Sequence, residues 1–261
     1  MVWLNVTIFA GHLTTSVSQF GARVRYQLIS QTVEFQVADG AFLPAFFTYP
    51  AGLDKAPAIL FIYEALGMND EMRRLAVSFA SAGYAVMMPD LLARGSWAIC
   101  ISRLIADLKR ERGQGVDDLL AARTWLCAQP QVDGNRLATL GLCMGGGFAL
   151  LLAKTGLFKA AAPFYGHAPR QLKGSCPVVA SYGGRDEAFR PHFEHLLTEL
   201  TTNHIPHEAK LYPEAGHSFM NQSTDKFISW LGEKLLMHVG HNIEAEQDAR
   251  LRVLKFFAEH V

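Results

Sequence analysis

From Thr32 onward the chain alternates between two hydrophobic patterns. TVEFQV (Thr32–Val37) places apolar and polar side chains on opposite faces, the period of a half-buried strand. Asp39-Gly40 is a turn pair, so AFLPAFFTYP (Ala41–Pro50) reads as the hairpin partner. Pro44 predicts an edge position for that partner, because proline cannot donate to a ladder. AILFIY (Ala58–Tyr63) and AVMMP (Ala85–Pro89) are continuous apolar runs, as expected of strands covered on both faces. Between them Asn69-Asp70 can cap a helix that runs to Ala82 and ends at Gly83.

Helical spacing returns at Ile99–Arg110 and Val116–Ala128. RLATLGL (Arg136–Leu142) is a strand, and FALLLA continues as a buried helix to Gly156. KAAAPFY (Lys159–Tyr165), PVVASY (Pro177–Tyr182) and HEAKLY (His207–Tyr212) are further strands, with a helix over Pro191–Asn203 between the last two. Helices at Asp225–Val239 and Glu244–His260 close the chain. The alternation predicts an α/β fold: a mostly parallel central sheet with helices on both faces, opened by an antiparallel hairpin. Residues 1–30 carry no clear period and read as an arm outside the pattern; residues 31–261 read as a single domain.

Composition narrows the picture. Half of the 261 residues are hydrophobic, enough for one large core. Lys and Arg total 24 against 24 Asp and Glu, so nothing points to nucleic acid or an anionic membrane surface as partner. The run Lys109-Arg110-Glu111-Arg112 contains an acid and reads as a solvated helix end. The opening MVWLNVTIFAGHL lacks a basic leader and a cleavage site, and is too short to span a bilayer. Cys100, Cys127, Cys143 and Cys176 contain no Cys-x-x-Cys pair, which argues against a zinc ribbon or a dithiol redox site. A disulfide framework is not expected in a chain this long, so a reducing, cytoplasmic setting is expected. His192, His195, His204 and His207 repeat a His-x-x-His spacing, but Pro206 separates the second pair from the helix; no metal site is expected there.

One cysteine stands apart. Gly141-Leu142-Cys143-Met144-Gly145 follows a strand and opens a helix, the setting of a nucleophile elbow with Cys in place of Ser. A turn that tight needs small neighbours two residues to either side. The helix N-terminus favours a thiolate and a developing oxyanion, for which the Met144 N–H is a natural donor. Without a P-loop lysine the same glycines make a poor phosphate cradle. Triad partners in this architecture follow in the order acid, then histidine, each just after a strand. Asp186 follows PVVASY in Gly-Gly-Arg-Asp, and His217 follows HEAKLY in Pro-Glu-Ala-Gly-His-Ser-Phe. His217 is the expected general base, Asp186 its orienting acid and Cys143 the nucleophile that forms a thioester.

At these residues the chain resembles the dienelactone hydrolase family of α/β-hydrolases, carboxymethylenebutenolidase-like enzymes, over about Thr32–Trp230. GLCMGGG, GGRDE and AGHSF carry the resemblance. It implies a hydrolase of a small ester or lactone that uses no cofactor, acting as a monomer or small homo-oligomer. It further implies that Glu64 interacts with the resting cysteine and helps accept its proton, and that the Ala65 N–H is the second oxyanion donor. Arg94, in DLLAR, falls where the family holds a substrate carboxylate, and Tyr165, in FYGH, matches a tyrosine near the pocket. The family's second carboxylate-binding arginine, four residues after the histidine, is here Asn221. Replacing Arg by Asn removes both charge and fork geometry. Arg94 therefore favours a carboxylated lactone and Asn221 a neutral short-chain ester. A binding protein on the same scaffold, or a thiol sensor, are the readings outside hydrolysis.

Overall fold

A computed structural model describes residues 26–222 and 233–261. Eight strands form one sheet: β1 (Leu28–Gln36), β2 (Phe42–Pro50), β3 (Ala56–Ile62), β4 (Ala85–Pro89), β5 (Val132–Leu142), β6 (Ala160–Phe164), β7 (Val178–Gly183) and β8 (His207–Tyr212). Their spatial order is β1-β2-β4-β3-β5-β6-β7-β8. β1 and β2 run antiparallel, β2 is antiparallel to β4, and every later pairing is parallel. The protein has the α/β-hydrolase fold.

Six described helices connect the strands: α1 (Asp70–Ala80), α2 (Trp97–Arg110), α3 (Gln114–Cys127), α4 (Met144–Ala153), α5 (Arg190–Thr202) and α6 (Ile243–His260). α2, α3 and α4 pack on one another. α1 and α6 are joined through the Arg74–Glu246 ion pair at 2.8 Å. The Asn69 carboxamide accepts the Met72 amide at 3.0 Å, so the expected cap forms. The helix expected at Asp225–Val239 lies largely outside the described residues.

Two expectations are corrected. β2 is an inner strand, with β1 outside it and β4 inside. Pro44 is tolerated because the ladder to β4 begins one residue later, at Ala45 opposite Pro89. Its carbonyl accepts the Asp90 amide at 2.8 Å, just beyond the end of β4. Proline's missing donor thus falls where there is no strand left to receive it. The first strand begins at Leu28, where it pairs with Pro50, so residues 28–30 belong to the sheet.

The central strands β3 to β7 are apolar on both faces, as parallel strands under two helix layers must be. The C-terminal ends of β3, β5, β6, β7 and β8 lead into the loops carrying Glu64, Cys143, Tyr165, Asp186 and His217, respectively.

Candidate active site

Cys143 sits between β5 and α4 with φ 53° and ψ −116°, a conformation that L-residues rarely adopt. Its amide donates to the Phe164 carbonyl at 3.0 Å, and its carbonyl accepts the Gly146 amide at 3.0 Å. The flanking glycines are forced by contact. A Cβ at Gly141 would meet the Gly145 carbonyl, and one at Gly145 would meet the carbonyl of Ile62 at the end of β3. The elbow therefore presses its backbone directly against neighbouring backbone. Met144 is the first residue of α4, so its N–H belongs to the unsatisfied first turn of the helix.

Asp186 and His217 meet as expected. His217 Nδ1 lies 2.6 Å from Asp186 Oδ2, and both residues are buried. The Asp186 Oδ1 accepts the Phe189 amide at 3.3 Å, which fixes the carboxylate plane. The two loops approach closely enough that a Cβ on Gly183 would meet the backbone carbonyl of Gly216. The histidine loop is tied from behind: the His217 amide donates to Met237 O at 2.7 Å, and the Gly240 amide donates to His217 O at 3.1 Å.

The second ring nitrogen, Nε2, is buried with no well-formed hydrogen bond. The Cys143 sulfur acts on the ring through its charge. Burial pushes the imidazole toward its neutral form, but the sulfur of Cys143 and the carboxylate of Asp186 outweigh this and lift its pKa to about 10. Catalytic hydrogen bonds are often long before substrate arrives, so a nucleophile–base pair in this state is chemically competent.

Glu64 follows β3 and is 3 % exposed. The family resemblance implied contact with the cysteine. Among the described residues the Asn221 side-chain amide donates to Oε1 at 2.8 Å and the Ser218 hydroxyl to Oε2 at 3.2 Å. Burial raises the Glu64 pKa, opposed by the His217 charge and by the Asn221 and Ser218 hydrogen bonds. Asn221 is thus a partner of Glu64, and its own buried Oδ1 has no hydrogen-bond partner among the described residues. Ser218 was not singled out from the sequence. It adjoins His217 in AGHSF and has φ 56°, which turns its side chain away from the direction a strand would give.

Tyr165 is fully buried, with φ 38° and a hydroxyl that has no hydrogen-bond partner among the described residues. Its ring centre is 4.8 Å from that of His217. Phe189, which carries no signal in the sequence pattern, packs on the same imidazole with ring centres 4.7 Å apart. Burial raises the tyrosine pKa well above its ordinary value, and the charges of Glu64 and Cys143 add to the shift.

Arg94 is engaged elsewhere. Its Nε and one terminal nitrogen donate to the two oxygens of Asp118, each at 2.7 Å, and the other terminal nitrogen donates to Asp39 at 2.7 Å. Its fork is filled by carboxylates of this chain. Among the histidines, His192 packs on His167 with ring centres 4.3 Å apart, His195 Nε2 lies 2.9 Å from Pro169 O, and His207 Nδ1 lies 2.7 Å from Ile205 O.

With this geometry in hand, the relationships of the chain are informative. Residues 43–261 match the profile of the Dienelactone hydrolase family. The chain belongs to that family. It is a dienelactone hydrolase-like hydrolase. It is 29 % identical over 219 residues to a carboxymethylenebutenolidase of Pseudomonas putida, covering 77 % of this chain and 91 % of the relative. It is 28 % identical over 186 residues to a carboxymethylenebutenolidase of Rhodococcus opacus, covering 64 % of this chain and 71 % of the relative. The solved structure of a dienelactone hydrolase-like promiscuous phosphotriesterase from metagenomic libraries superimposes with a TM-score of 0.74 at 23 % identity, covering 89 % of this chain and 98 % of that one. Among the described residues no helix is long and apolar enough to cross a membrane.

Proposed function

We propose that this protein hydrolyses a small carboxylic ester or lactone through a thioester on Cys143. The observation that carries the reading is the 2.6 Å contact of Asp186 with His217, beside a cysteine on a strained elbow. In the first half-reaction the Cys143 sulfur bonds to the acyl carbon while His217, which the sulfur and Asp186 hold in its charged form, keeps the proton. The carbonyl becomes an oxyanion, within reach of the Met144 and Ala65 amides. When it collapses, the C–O bond to the leaving oxygen breaks and His217 gives the proton to that oxygen. In the second half-reaction water gives a proton to His217 and attacks the thioester. The C–S bond breaks, the acid leaves, and the thiolate stands again beside the charged ring. Asp186 holds the imidazole orientation throughout.

Glu64 carries a buried acceptor beside this centre and stands as a second proton acceptor, held by Asn221 and Ser218. Tyr165 packs its ring against His217 and backs the imidazole.

For the substrate, two observations favour a neutral ester over a carboxylated lactone. Asn221 brings no charge, and Arg94 is saturated by Asp118 and Asp39. The test is turnover of cis- or trans-dienelactone beside a short-chain aryl ester, in wild type and Cys143→Ser, with mass spectrometry of the Cys143 peptide after a rapid quench. An acyl adduct on Cys143 and faster ester turnover are expected. Wild-type turnover that survives in Cys143→Ala would sink the mechanism, and dienelactone as the faster substrate would restore the carboxylate clamp.

A further inference from the structure

Trp97 is the first residue of α2 and is 54 % exposed. Its indole N–H nonetheless donates to the Ala65 carbonyl at 2.9 Å. Ala65 lies in a tight turn, closed by the Gly67 amide donating to the Glu64 carbonyl at 3.0 Å. The carboxylate at the start of this turn is held by Ser218 and Asn221 from one side. Trp97 holds the backbone from the other. On the hydrolase reading, Ala65 offers its N–H to the reacting centre, while its C=O accepts from a side chain of a different element.

The chemistry makes that second bond consequential. An oxyanion donor must stand 2.7–3.1 Å from where the charge will develop, and its value depends on being fixed before the charge appears. Glu64 is anchored at the start of the turn through its side chain, but Ala65 carries only a methyl group, Leu66 is exposed and Gly67 sits at φ 82°, so the side chains after Glu64 supply little stiffness. Exposed tryptophan gains little by burial, which leaves the directed hydrogen bond as the main consequence of placing an indole here. Trp97 also stands in the Gly95–Gly115 stretch, so α2 and the oxyanion turn are mechanically joined.

Resting on the hydrolase reading above, we propose that Trp97 is a positioning residue for the oxyanion site. Its N–H fixes the Ala65 peptide so that the neighbouring amide is preorganised for the tetrahedral intermediate.

Two reactions at one sulfur test this. Acylation of Cys143 by an aryl ester passes through an oxyanion. Alkylation by iodoacetamide forms an S–C bond and releases iodide at a saturated carbon, with no oxyanion. Trp97→Phe retains a ring and deletes the donor. Both rates are followed on the Cys143 peptide by mass spectrometry, because Cys127 and Cys176 are also partly accessible. In Trp97→Phe, acylation should fall about tenfold while alkylation is unchanged, since a displaced oxyanion donor acts only on the first reaction. Unchanged acylation would overturn the proposal. So would an equal fall in both rates, which would mean general damage around the thiol. If wild-type Cys143 is alkylated but never acylated, the hydrolase reading itself fails.

Discussion

At the scale of single residues, the site is dominated by contacts that leave no room for a side chain. Cys143 holds a backbone conformation costing about 1–3 kcal/mol, and the surrounding structure must impose it. Gly145 is where that imposition happens, because its Cα faces the Ile62 carbonyl. Gly145→Ala should therefore destabilise the protein by about 3 kcal/mol or more and abolish turnover, with urea unfolding as the measurement. Full stability in that variant would mean the elbow can open without cost. His217 carries a second residue-scale prediction. Its proton affinity is raised by Cys143 and Asp186 against the effect of burial. Removing the sulfur removes one of the two supports for the charged ring. In Cys143→Ala the imidazole should thus lose its proton at a lower pH than in wild type, where the value is about 10. Imidazole NMR signals followed against pH would show it, and an unchanged midpoint would mean that Asp186 alone sustains the shift. These residues were also the easiest to find from the sequence. GLCMGGG, GGRDE and AGHSF are local strings whose chemistry depends on immediate neighbours. Ser218 and Asn221 as partners of Glu64 were not legible, since that contact joins positions more than 150 apart in the chain.

At the scale of elements, Arg94 shows how a loop residue can serve the fold. It joins the Asp39 turn between β1 and β2 to Asp118 in α3. Asp118 is 3 % exposed, so the pair is effectively buried, whereas Asp39 remains largely in water. Breaking a buried pair leaves an uncompensated charge. Arg94→Ala should then cost about 3 kcal/mol of stability, nearly all of it from Asp118. Turnover of a neutral ester should stay within about twofold, because a clamp that touches no substrate contributes no transition-state binding. A selective loss on a carboxylated lactone, with stability preserved, would return Arg94 to the substrate. The same element-scale view explains what the hydrophobic pattern revealed and what it missed. Continuous apolar runs identified β3 and β4, because burial on both faces leaves a mark in every residue. Pro44 misdirected the placement of β2, because a strand's neighbours depend on where the adjacent ladder ends. α2 starts two residues before the expected Ile99, since Ser96 and Trp97 bring no helical period of their own.

At the scale of the whole molecule, the parallel sheet sets strand ends side by side, so that the loops after them converge. The order Cys143, Asp186, His217 along the chain was legible because this architecture places each loop after a strand. The bracing was not, because it runs between the two ends of the domain. Arg74 in α1 donates to the Met220 carbonyl at 2.9 Å, next to Asn221, and also to Glu246 at 2.8 Å. Glu246, in α6, is 6 % exposed and meets His241 Nε2 at 2.7 Å. The last helix therefore reaches the histidine loop through one carboxylate and one guanidinium. Glu246→Ala would leave Arg74 with Glu71 and Met220 only, and would leave His241 unpaired. A buried network that loses one member costs more than a surface pair, and a loss of about 2–4 kcal/mol is expected in urea unfolding. The effect on rate should be smaller and should appear in kcat, since Asn221 and Glu64 would be held less firmly while the elbow is untouched. Glu246→Gln keeps the shape and one acceptor, so it should recover most of the kcat but less of the stability, because Arg74 still lacks a charge partner in α6. Equal losses of stability and kcat in the two variants would mean that charge alone matters. Unaltered kcat in Glu246→Ala would mean that the histidine loop is held by the segment behind it, Met237 to Gly240, without help from α1 and α6.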